Sequence, residues 1–210
     1  MPIYDVDGRG EVTWYTMELA EGGSVADYVR RSGPRPFEEI EPRVDEVLEG
    51  LAAAHAIGVI HRDLKPENVL IDRYKHWRLA DFGLASALGE DVGGPSGTPA
   101  FAPPEQLLGE PQGPAADCFA MAAITYFVLS GRPPFGDREG PAVLAAQLSG
   151  KLDLDGFHPA VASWLRRGLA TEESQRFADA AEMRAAWSEV RLEVARGEEP
   201  LGWLRRLVWR

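Results

Sequence analysis

Asp63 and Asn68 stand five residues apart in VIHRDLKPENVLI, residues 59–71, and Asp81 follows in LADFGLA. Short aliphatic runs flank the first pair and another precedes Asp81, so the three side chains are expected in loops at strand ends. Two carboxylates and an amide oxygen gathered there form a hard, oxygen-only donor set suited to Mg2+. Lys65 adds a compact, mobile cation beside them. Together these residue types can hold a divalent cation and a triphosphate, with one carboxylate left to receive a hydroxyl proton.

Elements on both sides must position that loop. Upstream, the pattern reads as strands over 3–5 and 12–19, turning at Asp7 and Gly8. Gly22 and Gly23 break it, Ser24 is a helix N-cap, and the helix is expected to run to about Arg30 before SGPRP ends it. Val44, Val47, Leu48, Leu51, Ala54 and His55 recur at helical spacing, which predicts a helix from Val44 that ends at Gly58. Residues 59–60, 69–71 and 77–79 are short strand candidates around the loop. From Pro114 onward the chain reads as helical over 117–129, 141–148, 159–170 and 178–194, with Gly and Pro between. A few strands at one end and a mainly helical body give an α+β class. Residues 84–97 form a Gly, Ser and Ala-rich loop, and no Lys or Arg occurs from Leu79 to Gly131.

The 210 residues are 45% hydrophobic and 26% charged, the composition of a folding chain with a sizeable core. A formal charge of -11 argues against non-specific nucleic-acid binding, which needs many phosphate-neutralising cations, but leaves room for an anion held by local cations or a bound metal. One cysteine, Cys118, excludes an intrachain disulfide and points to a reducing compartment. The longest apolar-rich run, 119–129, is too short to span a bilayer, and a cytoplasmic protein without a transmembrane segment is expected.

HRDLKPEN at 61–68, followed by DFG at 81–83, resembles the catalytic loop and metal-binding motif of the protein kinase superfamily, and Lys65 with Pro66 resembles its serine/threonine branch. The order continues in GTPAFAPPE at 97–105, DCFAMA at 117–122, GRPPF at 131–135 and Arg176 in TEESQRF. The resemblance implies that Asp63 orients a substrate hydroxyl and accepts its proton, that Asn68 and Asp81 hold Mg2+, and that Lys65 neutralises the transferring phosphoryl group of ATP. It implies further that His61 and Phe82 belong to a packed spine beneath the site and that Gly83, closing the DFG run, has a regulatory or structural part. Thr98 would tie the substrate loop to Asp63 and Lys65, and Glu105 would pair with Arg176. Arg62 would receive a phosphate placed on Ser86, Ser96 or Thr98. Met17, Glu18, Leu19 and Ala20 resemble the gatekeeper and hinge, where the backbone of Glu18 and Ala20 would meet adenine.

The implied fold is a kinase-like, mainly helical C-terminal lobe plus a two-strand remnant of the N-terminal lobe. Residues 1–196 would be a partial kinase domain, with 1–20 the remnant and hinge and 21–196 the helical lobe, and 197–210 a basic tail. Departures within the match are conservative: Phe101 stands for Tyr, Pro103 for the Ala of APE, and Ala122 for a helix Gly. Upstream of Ile3 there is no G-x-G-x-x-G loop, no Val-Ala-x-Lys strand and no glutamate helix. An N-terminally incomplete domain is therefore expected, its sheet completed by a preceding segment or a partner chain.

Two functional readings remain open: a kinase acting with MgATP on a protein Ser or Thr, or a catalytically inactive kinase-like scaffold. His55, His76 and His158 read as solvated or helix-end residues, and Trp164 and Trp187 as core. LGWLRRLVWR at 201–210 is a basic amphipathic segment that can rest on a membrane surface, on a partner or on its own helical lobe.

Overall fold

The computed structural model describes residues 3–7, 14–82, 99–137 and 141–197. Strands β1 (Ile3–Asp7) and β2 (Trp14–Met17) pair antiparallel, with Ile3 opposite Met17, Asp7 opposite Trp14 and an irregularity between Ile3 and Asp5. The first strand is longer than the alternation suggests, while Glu18 and Leu19 leave the second and lead to Gly22. Gly22 lies so close to the next sheet that an added Cβ would sit 2.7 Å from Ile71 Cγ2. Its N–H donates to Ile71 O at 3.0 Å, and Ile71 N–H returns to Gly23 O at 2.9 Å.

Helix α1 (Val25–Ser32) begins at Ser24, as expected, in a capping box: Ser24 Oγ accepts the Asp27 N–H at 3.1 Å and the Asp27 carboxylate accepts the Ser24 N–H at 3.2 Å. Helix α2 (Phe37–Ala56) starts seven residues before the expected Val44. Pro42 lies inside it and forfeits a bond to the Glu38 carbonyl, which is why the sequence reads as interrupted there. Tertiary contacts override the proline. Phe37 packs on Trp187 with ring centroids 5.4 Å apart, Trp187 Nε1 donates to Glu41 O at 3.1 Å, and Arg184 clasps Asp45 at 2.8 and 3.0 Å. Pro42 and Glu38 both face solvent, so water can satisfy the freed carbonyl.

Strands β3 (Val69–Ile71) and β4 (Trp77–Leu79) form a second antiparallel pair with Leu70 opposite Arg78. The third expected strand, 59–60, is absent. Val59 N–H bonds back to Ala54 O at 3.0 Å, and the amides of His61 and Arg62 just beyond go to a side chain of the central helix, so the segment is drawn away from any ladder.

The remaining helices are α3 (Pro104–Leu107), α4 (Pro114–Ser130), α5 (Pro141–Leu148), α6 (Pro159–Gly168) and α7 (Ala180–Gly197). Every residue of α4 from Ala115 to Tyr126 is buried, so this helix has no solvent face and forms the centre of the body. Around it, α2, α6 and α7 supply Leu48, Leu51, Leu165, Met183 and Trp187, each fully enclosed. Trp164 and Trp187 meet with ring centroids 4.7 Å apart and are core residues, as their spacing suggests. The architecture is the expected α+β arrangement of a small amino-terminal sheet and a mainly helical body. Among the described residues no helix is long and apolar enough to cross a membrane.

Helices α4 and α6 approach closely because Gly168 offers no side chain. A Cβ added there would lie 2.6 Å from the Cβ of Ala122. Gly168→Ala gains up to about 1 kcal/mol of helix propensity but overpacks this crossing at a cost of about 1–3 kcal/mol. We expect a lower urea midpoint with unchanged slope, recovered by adding Ala122→Gly; a midpoint equal to the parent's would refute the close contact.

Candidate active site

The site is built downward from a buried carboxylate. Asp117, 1% exposed, lies in the first turn of α4. Its Oδ2 accepts the His61 N–H at 2.8 Å and its Oδ1 the Arg62 N–H at 2.9 Å. His55, in the last turn of α2, places Nε2 2.9 Å from Oδ2. Because His55 Nδ1 accepts the Ala180 N–H at 3.2 Å, Nε2 carries the hydrogen and donates to Asp117. His55 therefore has the expected helix-end position but not a solvated one: its side chain is 4% exposed. Neither it nor Asp117 stood out in sequence as a determinant of the loop. The available signal was a carboxylate at the head of an otherwise apolar helix.

Held in this way, Arg62 adopts φ +66°, a left-handed conformation costly for a residue with a Cβ and maintained where surrounding bonds enforce it. Gln106 on α3 adds to the constraint by donating to Arg62 O at 3.0 Å. The chain then turns Asp63 toward Lys65, whose Nζ lies 2.8 and 3.1 Å from the two carboxylate oxygens. Pro66–Asn68 forms a single 3-10 turn that brings Asn68 back under Asp63. Asn68 Nδ2 donates to Asp63 O at 2.8 Å and to Asp63 Oδ2 at 3.0 Å. These two contacts identify the nitrogen side of the amide and leave its oxygen for another partner. Asp63, Lys65 and Asn68, singled out by spacing, are thus brought together.

Asp81 follows β4, joined to the loop through Ala80, whose N–H donates to Asn68 O at 3.0 Å. His61 Nε2 donates to Ala80 O at 2.9 Å, while its buried Nδ1 has no partner. The His61 ring meets Phe82 with centroids 4.7 Å apart, so these two residues pack beneath the site. Asp81 itself is exposed, with φ +59°. Its Oδ1 accepts the phenol of Tyr15 on β2, a contact that sequence spacing gave no means of seeing. The Tyr15 hydroxyl is pushed up to about 12, first by this bond and then by burial and the adjacent negative charge.

Met17 ends β2, and Glu18 and Ala20 lie on the segment joining it to α1, where Ala20 O accepts the Gly23 N–H at 3.1 Å and Glu18 approaches Arg73 at 3.7 Å. Glu105 and Arg176 form a buried bidentate pair at 2.7 and 2.9 Å. Arg176 also donates to Ala170 O and Thr171 O, so the pair is fully partnered, the condition under which a buried ion pair is tolerated. Gly83, Ser86, Ser96 and Thr98 lie outside the described residues, as does the 201–210 tail.

Among the described residues no cluster of three or more His, Cys, Asp or Glu is placed to hold a metal ion. A cation at Asp81 and Asn68 would have one carboxylate and one amide oxygen from the protein and would complete its shell with water and phosphate oxygens. Mg2+ is bound in that way at nucleotide sites, so the donor set fits it. A cleft of about 330 Å3 with Tyr28, Arg43, Lys75 and Trp77 in its wall is lined by none of these donors.

The protein kinase domain family model matches residues 3–177. The chain is 32% identical over 202 residues to the serine/threonine-protein kinase PknL of Mycobacterium tuberculosis, covering 92% of this chain and 51% of that protein. It is 40% identical over 149 residues to serine/threonine-protein kinase pkn2 of Myxococcus xanthus, covering 66% of this chain and 18% of that protein. With human calcium/calmodulin-dependent protein kinase type 1B it shares 30% identity over 194 residues, 88% of this chain and 57% of that protein. The chain thus spans about half the length, or less, of these curated relatives.

Two outcomes follow from the geometry. Asp117→Ala strands two loop amides and the His55 N–H in a dry site, and should cost about 3–5 kcal/mol in chemical denaturation; a loss below about 1 kcal/mol would show that the loop does not depend on it. In difference titration against Tyr15→Phe, the Tyr15 phenol should ionise near 12, and Asp81→Asn should return it toward about 10. An ordinary value in the parent would remove the Tyr15–Asp81 bond.

Proposed function

This chain belongs to the protein kinase family, and we propose that it carries the catalytic machinery of a serine/threonine protein kinase that transfers the γ-phosphoryl group of ATP to a protein Ser or Thr hydroxyl. The observation that carries this reading is the Asp63 carboxylate, held by Lys65 and Asn68 within 3.1 Å. Its side chain is 36% exposed, open to an incoming hydroxyl yet oriented from beneath. Asp63 positions that hydroxyl and takes its proton. Lys65, a compact cation in contact with Asp63, stabilises negative charge gathering on the transferred group. Asn68 uses its amide hydrogens on Asp63 and keeps its oxygen, with the Asp81 carboxylate, for Mg2+. Bound MgATP supplies the phosphoryl group and neutralises charge between the phosphates.

Met17, Glu18 and Ala20 border the adenine end in this reading, Arg62 receives an activating phosphate, and Glu105 with Arg176 anchors the substrate loop. Relatives named serine/threonine-protein kinases support a protein hydroxyl as acceptor. The reading takes residues 1–196 as the part of the catalytic domain present here. With the single cysteine of the chain unpaired, the reading places it in a reducing, cytoplasmic compartment.

Transfer from radiolabelled ATP to a mixed protein substrate tests the proposal. Asp63→Asn should lower turnover about 10²–10⁴-fold while leaving MgATP binding within about threefold of the parent. Equal turnover in the variant would remove Asp63 from the chemistry. A folded parent that binds MgATP but transfers nothing would support the scaffold reading instead.

A further inference from the structure

We propose that Gln147 positions the segment that receives the protein substrate, acting through the Ala102 carbonyl. This rests on the reading of GTPAFAPPE as the acceptor-side loop of a kinase. Gln147 lies in the last turn of α5, is 1% exposed, and donates from Nε2 to Ala102 O at 2.7 Å. That carbonyl has few donors nearby in its own chain. Pro103 and Pro104 follow it and carry no N–H, and the Gln106 N–H is taken by Pro103 O. Of residues 100–105 Ala102 alone is not buried, so here the stretch reaches the surface and can meet an incoming peptide.

The bond closes a circuit. Gln147 O accepts the Thr171 hydroxyl at 3.0 Å, Thr171 O accepts Arg176 Nη2 at 2.9 Å, and Arg176 grips Glu105, three residues beyond Ala102. One end of the stretch is thus fixed by Glu105 to Arg176 and by Gln106 to the Arg62 carbonyl. At the other end Phe101 packs edge-on to Phe127, with centroids 5.5 Å apart, and sets where the turn lies. Gln147 sets which way the peptide plane between them faces.

Stability does not account for a glutamine here. Its Oε1 is buried and has no hydrogen-bond partner among the described residues. Leaving a buried acceptor unpaired costs more than a neutral hydrogen bond returns. An apolar side chain of equal length would avoid that cost, and the carbonyl of half-buried Ala102, once released, can turn to water. A polar residue kept against the packing around it marks function rather than folding. Gln147 acts through Ala102 and touches no reacting atom, which makes it a positioning residue rather than a catalytic one.

The test follows steady-state transfer from MgATP to casein by the full chain. Gln147→Met keeps the length of the side chain and removes both the amide hydrogens and the stranded oxygen. It should raise the casein KM about 3- to 10-fold, the equivalent of one neutral hydrogen bond, with kcat and the ATP KM within about twofold of the parent. Its urea midpoint should be no lower than the parent's. Hydrogen exchange of the Ala102 amide, which donates to Pro99 O at 3.2 Å, should quicken. An unchanged casein KM or unchanged exchange at Ala102 overturns the proposal. A variant that loses kcat or its urea midpoint along with casein KM shows a structural role and overturns it equally. A folded parent that transfers nothing overturns the kinase reading instead, and the substrate role of Gln147 falls with it.

Discussion

A carboxylate without water is costly, and Asp117 repays that cost by organising four parts of the chain at once. Its oxygens collect the amides of His61 and Arg62 and the ring N–H of His55, whose other nitrogen takes the first amide of α7. Removing a charge from water costs several kcal/mol unless donors converge on it, and here they converge from the end of α2 and from the loop. The arrangement has one low-energy solution. Because Asp63 is the next residue after Arg62, the direction of the candidate base is set by a side chain sealed in the core.

The second buried charge, Arg176, plays the same part farther along. By pairing with Glu105 it joins α3 to the segment before α7, and its guanidinium lies 4.9 Å over the Phe119 ring of α4. Asp117 and Phe119 sit two residues apart on the same central helix. The loop bearing Asp63 and the helix bearing Glu105 are thus both referenced to α4. Gln106 closes the triangle by bonding to the Arg62 carbonyl. Two ion-bearing contacts and one rigid helix therefore keep the base and the candidate substrate-side elements in register.

Much of this was legible in sequence where a local rule and tertiary packing agreed. Ser24 capped its helix, Gly131 ended α4 in a left-handed turn, and the spacing of Asp63, Lys65 and Asn68 survived as contact. Local rules failed where long-range contacts outweighed them. Pro42 reads as a helix boundary, yet Trp187 and Arg184, nearly 150 residues away, hold that turn helical. Val59 and Ile60 have strand-forming side chains, but the amides beyond them are claimed by Asp117. Tyr15 reads as a strand aromatic, and only the folded arrangement brings its hydroxyl to Asp81. Periodicity reports which face is buried; it carries no information on which distant polar group will be met there.

The fully enclosed α4 also divides the molecule by cooperativity. A helix with no polar face cannot detach while its neighbours stay folded, since each would expose the apolar surface that α4 covers. The loop bearing Asp63, hung from its first turn by the Asp117 carboxylate, therefore opens only when the whole body unfolds. The alignment of Asp63 is in that sense as durable as the fold itself, because no smaller unit of structure can give way beneath it.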